Sequence, residues 1–281
     1  MRMHDRGVLF HLCATCGVEQ DPNTPLPDEC AICADERQYI PLGGQEWTTV
    51  EKLAGAGYRA VEHEVEPGLH GLYVDPKTAI GQQSLVIRTP AGSLLWDPIG
   101  FVDDAAVAAV AAHGPVLAVA GSHPHMFGVQ TQWSKALGDV PILVADADRG
   151  WLARSDGPIV FWSGTHEVTP GLTLHQIGGH FPGSAVAHWR DGADGRGVLL
   201  TGDGVFPNPD RRTVSFLRSY PNRLPLSAAV VRRIADQLSH LEFDRIIGNF
   251  DNVIDNAGRE ALEYSATRHC AWVTGEFDHL T

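Results

Sequence analysis

The sequence predicts an α/β fold, in which strands and helices alternate along most of the chain, with a short cysteine-rich segment ahead of it. Two observations support this prediction. Four of the five cysteines lie within the first 33 residues, and short apolar runs separated by glycine and proline begin at about Pro41. A chain of 281 residues is long enough to bury a large core, in one large domain or two smaller ones. We divide it into a segment 1–42 and a domain 43–281.

The cysteines of the first segment form two Cys-x-x-Cys pairs with thirteen residues between them, Cys13 with Cys16 and Cys30 with Cys33. Two such knuckles are the usual way to place four thiolates tetrahedrally around one Zn²⁺ ion, although thiolates also bind iron. Disulfides would suit a secreted protein, and a redox-active pair would need a βαβ context that the sequence lacks. We therefore predict a rubredoxin-like zinc ribbon with a structural zinc. The fifth cysteine, Cys270, is predicted to be a buried small apolar residue.

The charge of the chain disfavours a nucleic-acid partner. Asp and Glu outnumber Lys and Arg by 34 to 21, and the resulting net charge of −13 repels a phosphate backbone. Around the cysteines, Arg37 alone opposes a group of acidic residues: Glu19, Asp21, Asp28, Glu29, Asp35 and Glu36. No run of about 18 apolar residues occurs, so we expect no membrane span. Residues 1–6 lead into the cysteines rather than into an apolar core, so we expect no signal peptide and a cytoplasmic protein.

Strands are predicted where short apolar runs are bounded by glycine, proline or an acid. In chain order these runs are 72–74, 84–88, 94–97, 116–120, 142–144, 159–162, 172–177, 185–189, 198–200 and 245–247. The run 116–120 is continuously apolar, which is typical of sheets that are covered on both faces.

Three helices are predicted between or after these strands. Asp103 and Asp104 open an Ala- and Val-rich helix, since acidic residues favour the N-terminal end of a helix. Ser227 can cap a second helix, whose apolar residues recur at helical spacing as far as Leu241. Asn256 is predicted to cap the last helix. Sheets with helices on their outer faces are therefore the expected architecture.

Three short segments that follow predicted strands carry metal-ligating side chains. His123 and His125 form a His-x-His pair, and two imidazoles at one strand end can converge on one ion. His180 follows two glycines that let the backbone approach closely. Asp203 lies on a Gly-flanked turn. Each segment alone fits a surface histidine or a simple turn, but the three in this order indicate a metal site.

In this order the sequence resembles the metallo-β-lactamase-fold hydrolase superfamily over most of the chain beyond the ribbon. The family pattern is His-x-His-x-Asp-His, then a His in a Gly-His-x-Pro-Gly-Ser context, then a bridging Asp and a final His. His123 and His125 match the first pair, and His180 matches the third histidine within Gly-His-Phe-Pro-Gly-Ser. Asp203 matches the bridging acid, and Asp97 matches a structural acid that ends an early strand. The resemblance implies a four-layer αββα sandwich.

The sequence departs from the family pattern at the second metal position. Phe127 and Gly128 stand where the family has Asp and His. Asn249 stands where the final His is expected, and Asp251 is the nearby acid that could replace it. We therefore predict one active-site metal rather than two.

The resemblance implies that His123, His125 and His180 hold this metal, with Asp203 as a fourth ligand or as the hydrogen-bond partner of its bound water. Three neutral imidazoles and an open position are the usual arrangement of a catalytic zinc. Together with the ribbon, this predicts two zinc ions per chain, one structural and one in the active site, where iron is the alternative.

The predicted function is hydrolysis of a small-molecule ester, thioester, lactone or phosphoester by a water that zinc activates. Asp203 is the one matched acid left to act as general base or to orient the water. Two alternatives stay open. His123, His180 and Asp203 could form the two-His, one-carboxylate face of a non-haem iron oxygenase, as in the persulfide dioxygenases of this superfamily. The other is a degenerate, non-catalytic scaffold that assembles through its ribbon as a homo-oligomer.

Few residues near the predicted site indicate a substrate. Arg218 and Tyr220 follow Asp203 in the chain and are candidates for contact with an anionic or carbonyl group, the alternative being a surface arginine beside a packed tyrosine. Gln82 precedes an early strand and could present its amide at the mouth of the site. Trp133 could form a wall of the site or equally fill the core.

Overall fold

The computed structural model describes residues 10–281. The N-terminal residues 1–9, on which the prediction of no signal peptide rests, lie outside the described residues. Within residues 10–281, no helix combines the length and the apolar character that a membrane crossing requires.

Two β-sheets face each other in the described part of the chain. The first has seven strands in spatial order, namely Arg59–Glu66, Leu69–Asp75, Ser84–Thr89, Gly92–Trp96, Val116–Ala120, Ile142–Ala145 and Ile159–Trp162. Its first four strands are antiparallel, and those from Gly92–Trp96 onward are parallel. The second sheet has six strands, namely Thr165–Thr169, Leu172–Gln176, Ala185–Trp189, Val198–Thr201, Arg245–Ile247 and Val253–Ile254.

Helices cover the outer faces of both sheets. The described helices are Ala31–Ala34, Val50–Gly55, Asp104–Ala111, Gln130–Ala136, Gly192–Gly195, Ala228–Leu238 and Gly258–Val273, with short 3₁₀ turns at Pro124–Met126, Asp146–Trp151 and Asp278–Leu280. Short strand pairs join His11–Cys13 to Trp47–Thr49, Phe206–Pro207 to Val214–Ser215, and Leu217–Ser219 to Leu224–Pro225.

The core lies in three layers between these elements. Leu85 and Trp96 of the first sheet pack against Leu174 and Leu200 of the second, so the inner faces of the sheets are buried against each other. A second apolar cluster lies between the second sheet and the two C-terminal helices, and a third lies between the first sheet and the helices Asp104–Ala111 and Gln130–Ala136. The predicted αββα sandwich is therefore confirmed.

The predicted apolar runs lie in strands, apart from Asp97 and Ile177 at the ends of two runs, but three edge strands of the two sheets were not predicted. Arg59–Glu66 forms one edge of the first sheet, and Thr165–Thr169 and Val253–Ile254 form the two edges of the second. The first two carry charged and polar residues at alternate or successive positions, as is common for edge strands, which must avoid pairing with other chains, and the third is only two residues long. Apolar periodicity therefore gave no signal for them.

The helix ends confirm the predicted start at Asp103 and Asp104 and the predicted cap Ser227, and they correct the predicted cap of the last helix. The side chains of Asp103 and Ser227 accept hydrogen bonds from the first turns of their helices. The prediction of Asn256 as the last cap is wrong, because the helix begins at Gly258 and its cap is Ala257, in a left-handed conformation with φ of 55°. There the backbone N–H of Ala257 donates to Asp244 Oδ1 at 2.9 Å. The acceptor for this N–H at the start of the helix therefore comes from a different segment of the chain.

The ribbon packs directly on the sandwich. Its strand His11–Cys13 pairs with Trp47–Thr49, and its cysteines lie in one apolar cluster with Phe127. The backbone N–H of Glu19 donates to the carbonyl of Gly128 at 3.0 Å. The loop that follows the His-x-His pair therefore forms the seat of the ribbon. The domain boundary at residue 42 stays a prediction.

Candidate metal centre

Three strand ends bring the predicted metal ligands together at one edge of the sandwich. His123 and His125 follow Val116–Ala120 and lie at a 3₁₀ turn, which directs both rings inward. His180 and Asp203 lie just beyond two strands of the facing sheet. All four residues are buried, Asp203 being the most exposed at 8%.

The donor atoms of these side chains are spaced as tetrahedral ligands are. His125 Nδ1 lies 3.3 Å from His180 Nε2. Asp203 Oδ2 lies 3.7 Å from Nε2 of His123 and from Nε2 of His180. Metal–nitrogen bonds of about 2.0–2.1 Å in a tetrahedron place neighbouring ligand atoms about 3.3–3.4 Å apart. The four donors can therefore hold one metal ion.

Polar atoms of this group are buried without a partner in the part of the chain that the structure describes. His123 Nε2 and Asp203 Oδ1 have no hydrogen-bond partner among the described residues. Burial lowers the pKa of His123 and of His125 well below the usual value, and it lowers the pKa of His180 to about 4. Burial also raises the pKa of Asp203 to about 7. The imidazoles are therefore neutral, which is the form that binds metals, and the set fits a divalent cation.

A second layer of contacts orients two of the imidazoles. His180 Nδ1 lies 3.1 Å from the carbonyl oxygen of Leu217. This oxygen can accept a hydrogen bond from a protonated Nδ1, and Nε2 then keeps its lone pair for a metal. His123 Nδ1 lies 2.9 Å from Ser122 Oγ in the same way. The backbone N–H of Ser122 donates to Asp97 Oδ1 at 2.5 Å. Asp97, which the resemblance identifies as a structural acid, thus positions the loop that carries the first two ligands.

Close backbone packing supports the same loop. A Cβ atom on Gly202 would lie 2.2 Å from Ser122 Oγ and 2.9 Å from His123 Nδ1. Glycine next to Asp203 is therefore required for the two ligand segments to approach each other.

The positions of the missing second-metal ligands have been given other roles. Phe127 is buried against the cysteine cluster of the ribbon. Gly128 has a φ of 50°, and a Cβ atom there would lie 1.9 Å from the carbonyl oxygen of Pro98. Asn249 is buried, and its Nδ2 donates to the carbonyl of Gln83 at 3.1 Å. Asp251 is exposed and does not belong to the ligand group, so among the described residues no acid replaces the family's final histidine there.

The ribbon cysteines form a second tetrahedral donor set. Cys13 Sγ lies 3.7 Å from Cys33 Sγ, and Cys16 Sγ lies 3.8 Å from Cys30 Sγ. A zinc–sulfur bond of about 2.3 Å places tetrahedral sulfurs about 3.8 Å apart. Hydrogen bonds with the neighbouring thiols, that of Cys13 foremost, together with burial raise the pKa of Cys16 well above its usual value. The geometry fits the predicted zinc ribbon.

Cys270 lies far from this set in the last helix. Its side chain is half-buried rather than fully buried, and Sγ donates to the carbonyl of Ala228 at 3.5 Å. It packs beside the apolar cluster under the two C-terminal helices, in agreement with a small packing residue.

A cavity of about 640 Å³ opens onto the histidine site. The segment that precedes the sandwich forms one side of it through Ala14, Thr15, Arg37, Gln38, Tyr39 and Glu46. The sandwich forms the other side through Lys77, His125, Asp203, Phe206, Tyr220 and Phe250. The ribbon is therefore part of the wall of the candidate active site.

The predicted substrate contacts lie at different places. Tyr220 lines the cavity, and its hydroxyl donates to the backbone carbonyl of Asp203 at 3.1 Å. Arg218 instead pairs with Glu36 of the ribbon through Nε at 2.5 Å. Gln82 lines a neighbouring cavity of about 550 Å³ and is only 4% exposed. Trp133 is fully buried in the core, so the structure favours the core-filling interpretation.

Arg37 is the residue that sequence reasoning did not place at the site. Its Nε donates to the backbone carbonyl of His180 at 2.6 Å, and it lines the cavity. The one available signal was its position as a single basic residue among the acids of the ribbon.

A further group of potential ligands lies on the outer edge of the first sheet. Glu62 Oε1 lies 3.2 Å from His70 Nδ1 and 2.5 Å from His113 Nε2, and the two imidazole rings stack at 3.8 Å. These side chains are partly exposed, and they do not line the cavity. Hydrogen bonding between the carboxylate and the imidazoles is sufficient to explain the group.

Comparisons with known proteins agree with this fold. No family model matches the chain. The uncharacterized protein YmaE of Bacillus subtilis strain 168 is 38% identical over 272 residues, which cover 96% of this chain and 99% of that protein. The Flv1 flavodiiron core from Synechocystis sp. PCC6803 is a similar solved structure at 13% identity, with a TM-score of 0.54, covering 76% of this chain and 61% of that one.

Two further solved structures are metallo-β-lactamases. The mono-zinc form of FIM-1 from Pseudomonas aeruginosa is 18% identical and covers 75% of this chain and 94% of that one, with a TM-score of 0.51. The enzyme from Hirschia baltica is 20% identical and covers 75% of this chain and 97% of that one, with a TM-score of 0.50. Identities this low show the fold alone. The chain is therefore a metallo-β-lactamase-fold protein with a four-cysteine ribbon, and it belongs to the same family as YmaE.

Proposed function

We propose that the protein is a hydrolase that uses a single zinc ion, held by His123, His125 and His180, against a small-molecule ester, thioester, lactone or phosphoester. The observation that supports this most directly is the position of the site. Three neutral imidazoles and one carboxylate, with neighbouring donor atoms 3.3–3.7 Å apart, lie beside a cavity of about 640 Å³. Cavities of about 300–1,000 Å³ are typical of small-molecule sites.

His123, His125 and His180 would hold the zinc ion, which when bound would supply Lewis acidity for activating a water and polarising a substrate carbonyl or phosphoryl oxygen. Asp203 is the acid available to the attacking water. Its Oδ2 faces the imidazoles, whereas its Oδ1 has no partner among the described residues and can accept a proton or orient the water. The Tyr220 hydroxyl, bonded to the carbonyl of Asp203, fixes the backbone of this acid.

The walls of the cavity suit a substrate with an apolar part. Tyr39, Phe206 and Phe250 line it together with Ala14 and Thr15 of the ribbon. Apolar walls exclude water and strengthen the electrostatic interactions at the reacting centre. Because the ribbon is acidic as well, a nucleic acid is not the expected substrate.

Metal content and turnover together test this proposal. The protein, purified without added metal, is expected to contain about two zinc ions per chain, in agreement with one four-cysteine site and one catalytic site. It should also hydrolyse at least one member of a panel of esters, thioesters, lactones and phosphoesters. Iron in the histidine site would favour the oxygenase alternative, and retained zinc without turnover of any panel member would favour the non-catalytic scaffold.

A histidine variant tests the ligand assignment. His180→Ala should remove one metal ion per chain and leave the ribbon zinc in place, because the four cysteines are independent of it. His166→Ala is the matched control, since His166 lies on an edge strand and packs beside Trp162 away from the cavity. If His180→Ala retained both metal ions, the assignment would be wrong.

A further inference from the structure

Arg37 connects the ribbon to the candidate metal centre. It belongs to the segment that follows the second cysteine pair, and its residue is only 7% exposed. Its Nε donates to the carbonyl of His180, and its Nη1 donates to Asp35 Oδ1, both at 2.6 Å. The ribbon thus places a buried guanidinium in contact with the loop that carries His180.

The guanidinium is held firmly in this position. Its Cζ lies 4.2 Å from the centre of the Phe181 ring and 5.9 Å from that of Trp151. The hydroxyl of Ser219 donates to the backbone carbonyl of Arg37 at 3.2 Å. The cation–π contacts and the hydrogen bonds to His180 and Asp35 fix the orientation of the guanidinium, so little freedom remains to be lost when it binds a partner.

Nη2 of the guanidinium has no hydrogen-bond partner within residues 10–281. The hydrogen bonds among the described residues use Nε and Nη1 of Arg37 and leave Nη2 without an acceptor, while the side chain lines the cavity beside His125. An ionised hydrogen-bond donor that is fixed at a cavity wall is suited to an anionic acceptor.

The rest of the cavity supports an anionic ligand with an apolar body. Lys77 is the second cation that lines it, and Glu46 and Asp203 are the acids. A divalent cation at the histidine site would make the sum of these charges positive, although the chain as a whole has a net charge of −13. The aromatic side chains that line the cavity, Tyr39, Phe206 and Phe250, are suited to contact an apolar group attached to the anion.

We propose that Arg37 binds an anionic oxygen group, of the carboxylate type, on the substrate of this cavity. The proposal rests on the proposed function only in taking this cavity as the substrate site. The ribbon then determines specificity: its zinc positions the segment that carries Arg37, and Arg37 selects acidic substrates over neutral ones of the same shape.

Calorimetric titration of the zinc-loaded protein tests this without turnover. The probes are 3-phenylpropanoate, its neutral analogue 3-phenylpropanamide, and 2-phenylethylphosphonate. Wild-type protein should bind the carboxylate about ten- to a hundredfold more tightly than the amide, the range expected of a charge-assisted hydrogen bond. Arg37→Gln should abolish the preference. Tighter binding of the phosphonate than of the carboxylate, lost in the same variant, would support Arg37 and assign the phosphate class instead.

Two further variants separate Arg37 from other causes. Arg149→Gln is the matched control, because Arg149 also pairs with a nearby acid and stacks on a phenylalanine, but outside the cavity. It should retain the full preference. Arg37→Lys keeps the positive charge and should retain part of it, which guards against a folding defect in the glutamine variant, as does an unchanged zinc content.

Two results would overturn the proposal. A preference for the carboxylate that survives Arg37→Gln would mean that the metal holds the anion, or Lys77 if Lys77→Gln removes it. Equal binding of the acid and the amide by wild-type protein would mean that the cavity does not select anions. Because the readout is binding, failure of the ester panel to turn over would count against the proposed hydrolase and not against this role of Arg37.

Discussion

Arg154 of the sandwich donates through Nη1 to Glu19 Oε2 of the ribbon at 2.8 Å, and both side chains are at most 3% exposed. The second carboxylate oxygen of Glu19 accepts from the backbone N–H of Thr131 at 2.5 Å. One buried carboxylate therefore joins the ribbon to the helix behind the His-x-His loop. Burial raises the pKa of Glu19, so its ionised form depends on the arginine that faces it.

Removing one partner of this pair should loosen the ribbon. Glu19→Ala leaves the Arg154 guanidinium buried without one of its acceptors, and such losses cost about 3–5 kcal/mol of folding free energy. We expect a fall of that order in urea unfolding, together with faster loss of the ribbon zinc to a chelator. Arg232→Ala, which breaks the exposed pair with Glu263, should cost at most about 1 kcal/mol. Equal effects of the two variants would contradict this account.

Gly202→Ala should weaken the metal centre without touching a ligand. The added Cβ would force Ser122 and His123 away from their present positions, and disturbing the residues that orient ligands lowers metal affinity by about 10–100-fold. Competition with a chelator measures this for the histidine site, while the ribbon zinc serves as an internal reference. Gly150→Ala, at a position with open space around it, should leave both affinities unchanged. An unaltered metal affinity of the histidine site in Gly202→Ala would contradict this prediction, because it would show that the loop with Ser122 and His123 can shift without disturbing the ligands.

Asp148 should make a contribution to the stability of the protein that falls as the pH rises from about 4 to 6. This residue accepts a hydrogen bond from the backbone N–H of Gly183 at 2.8 Å, and burial raises its pKa from 3.8 to about 6. Between these two values the folded state holds a proton that the unfolded state has lost, so stability decreases with increasing pH in that window. The side chain of Asp148→Asn does not titrate, so the variant lacks this difference in bound protons between the folded and unfolded states. Its amide oxygen can still accept from the N–H of Gly183.

The measurement is the free energy of urea unfolding of wild type and Asp148→Asn across this pH range. The two curves should diverge by the order of 2–3 kcal/mol by pH 7, with the variant the more stable. Asp146→Asn, which alters an exposed acid of the same turn, provides the control. Parallel curves for wild type and Asp148→Asn would show that Asp148 does not contribute to the pH dependence of the free energy of unfolding.

Asp203→Asn tests the proposed role of this carboxylate in turnover. The amide cannot take a proton from the attacking water, so the rate constant for any panel ester that wild type hydrolyses should fall by about 10²–10⁴-fold. The three imidazoles should still retain a metal ion, which elemental analysis checks in the same preparation. Full activity in the variant would place the general base elsewhere, and loss of the metal would make Asp203 primarily a ligand.

Apolar runs and the residues that follow them made most of this molecule predictable. The strand Val116–Ala120 and the His-x-His pair after it are local in sequence, and so is the Gly-rich turn before His180. Arg37 reaches the site across 143 positions of the chain, through contacts that no local pattern records. The cap at Ala257 escaped prediction for the same reason, since its acceptor is Asp244 rather than a neighbouring side chain.

The packing around positions 127 and 128 disfavours the two second-metal ligands, Asp and His, that the family pattern has there. A histidine introduced at position 128 would need a Cβ 1.9 Å from the carbonyl oxygen of Pro98, in a backbone conformation with φ of 50° that favours glycine. An aspartate at position 127 would bury a charge against the cysteine cluster. A single substitution at either position therefore conflicts with the packing around the His-x-His loop, with Pro98 at position 128 and with the cysteine cluster of the ribbon at position 127.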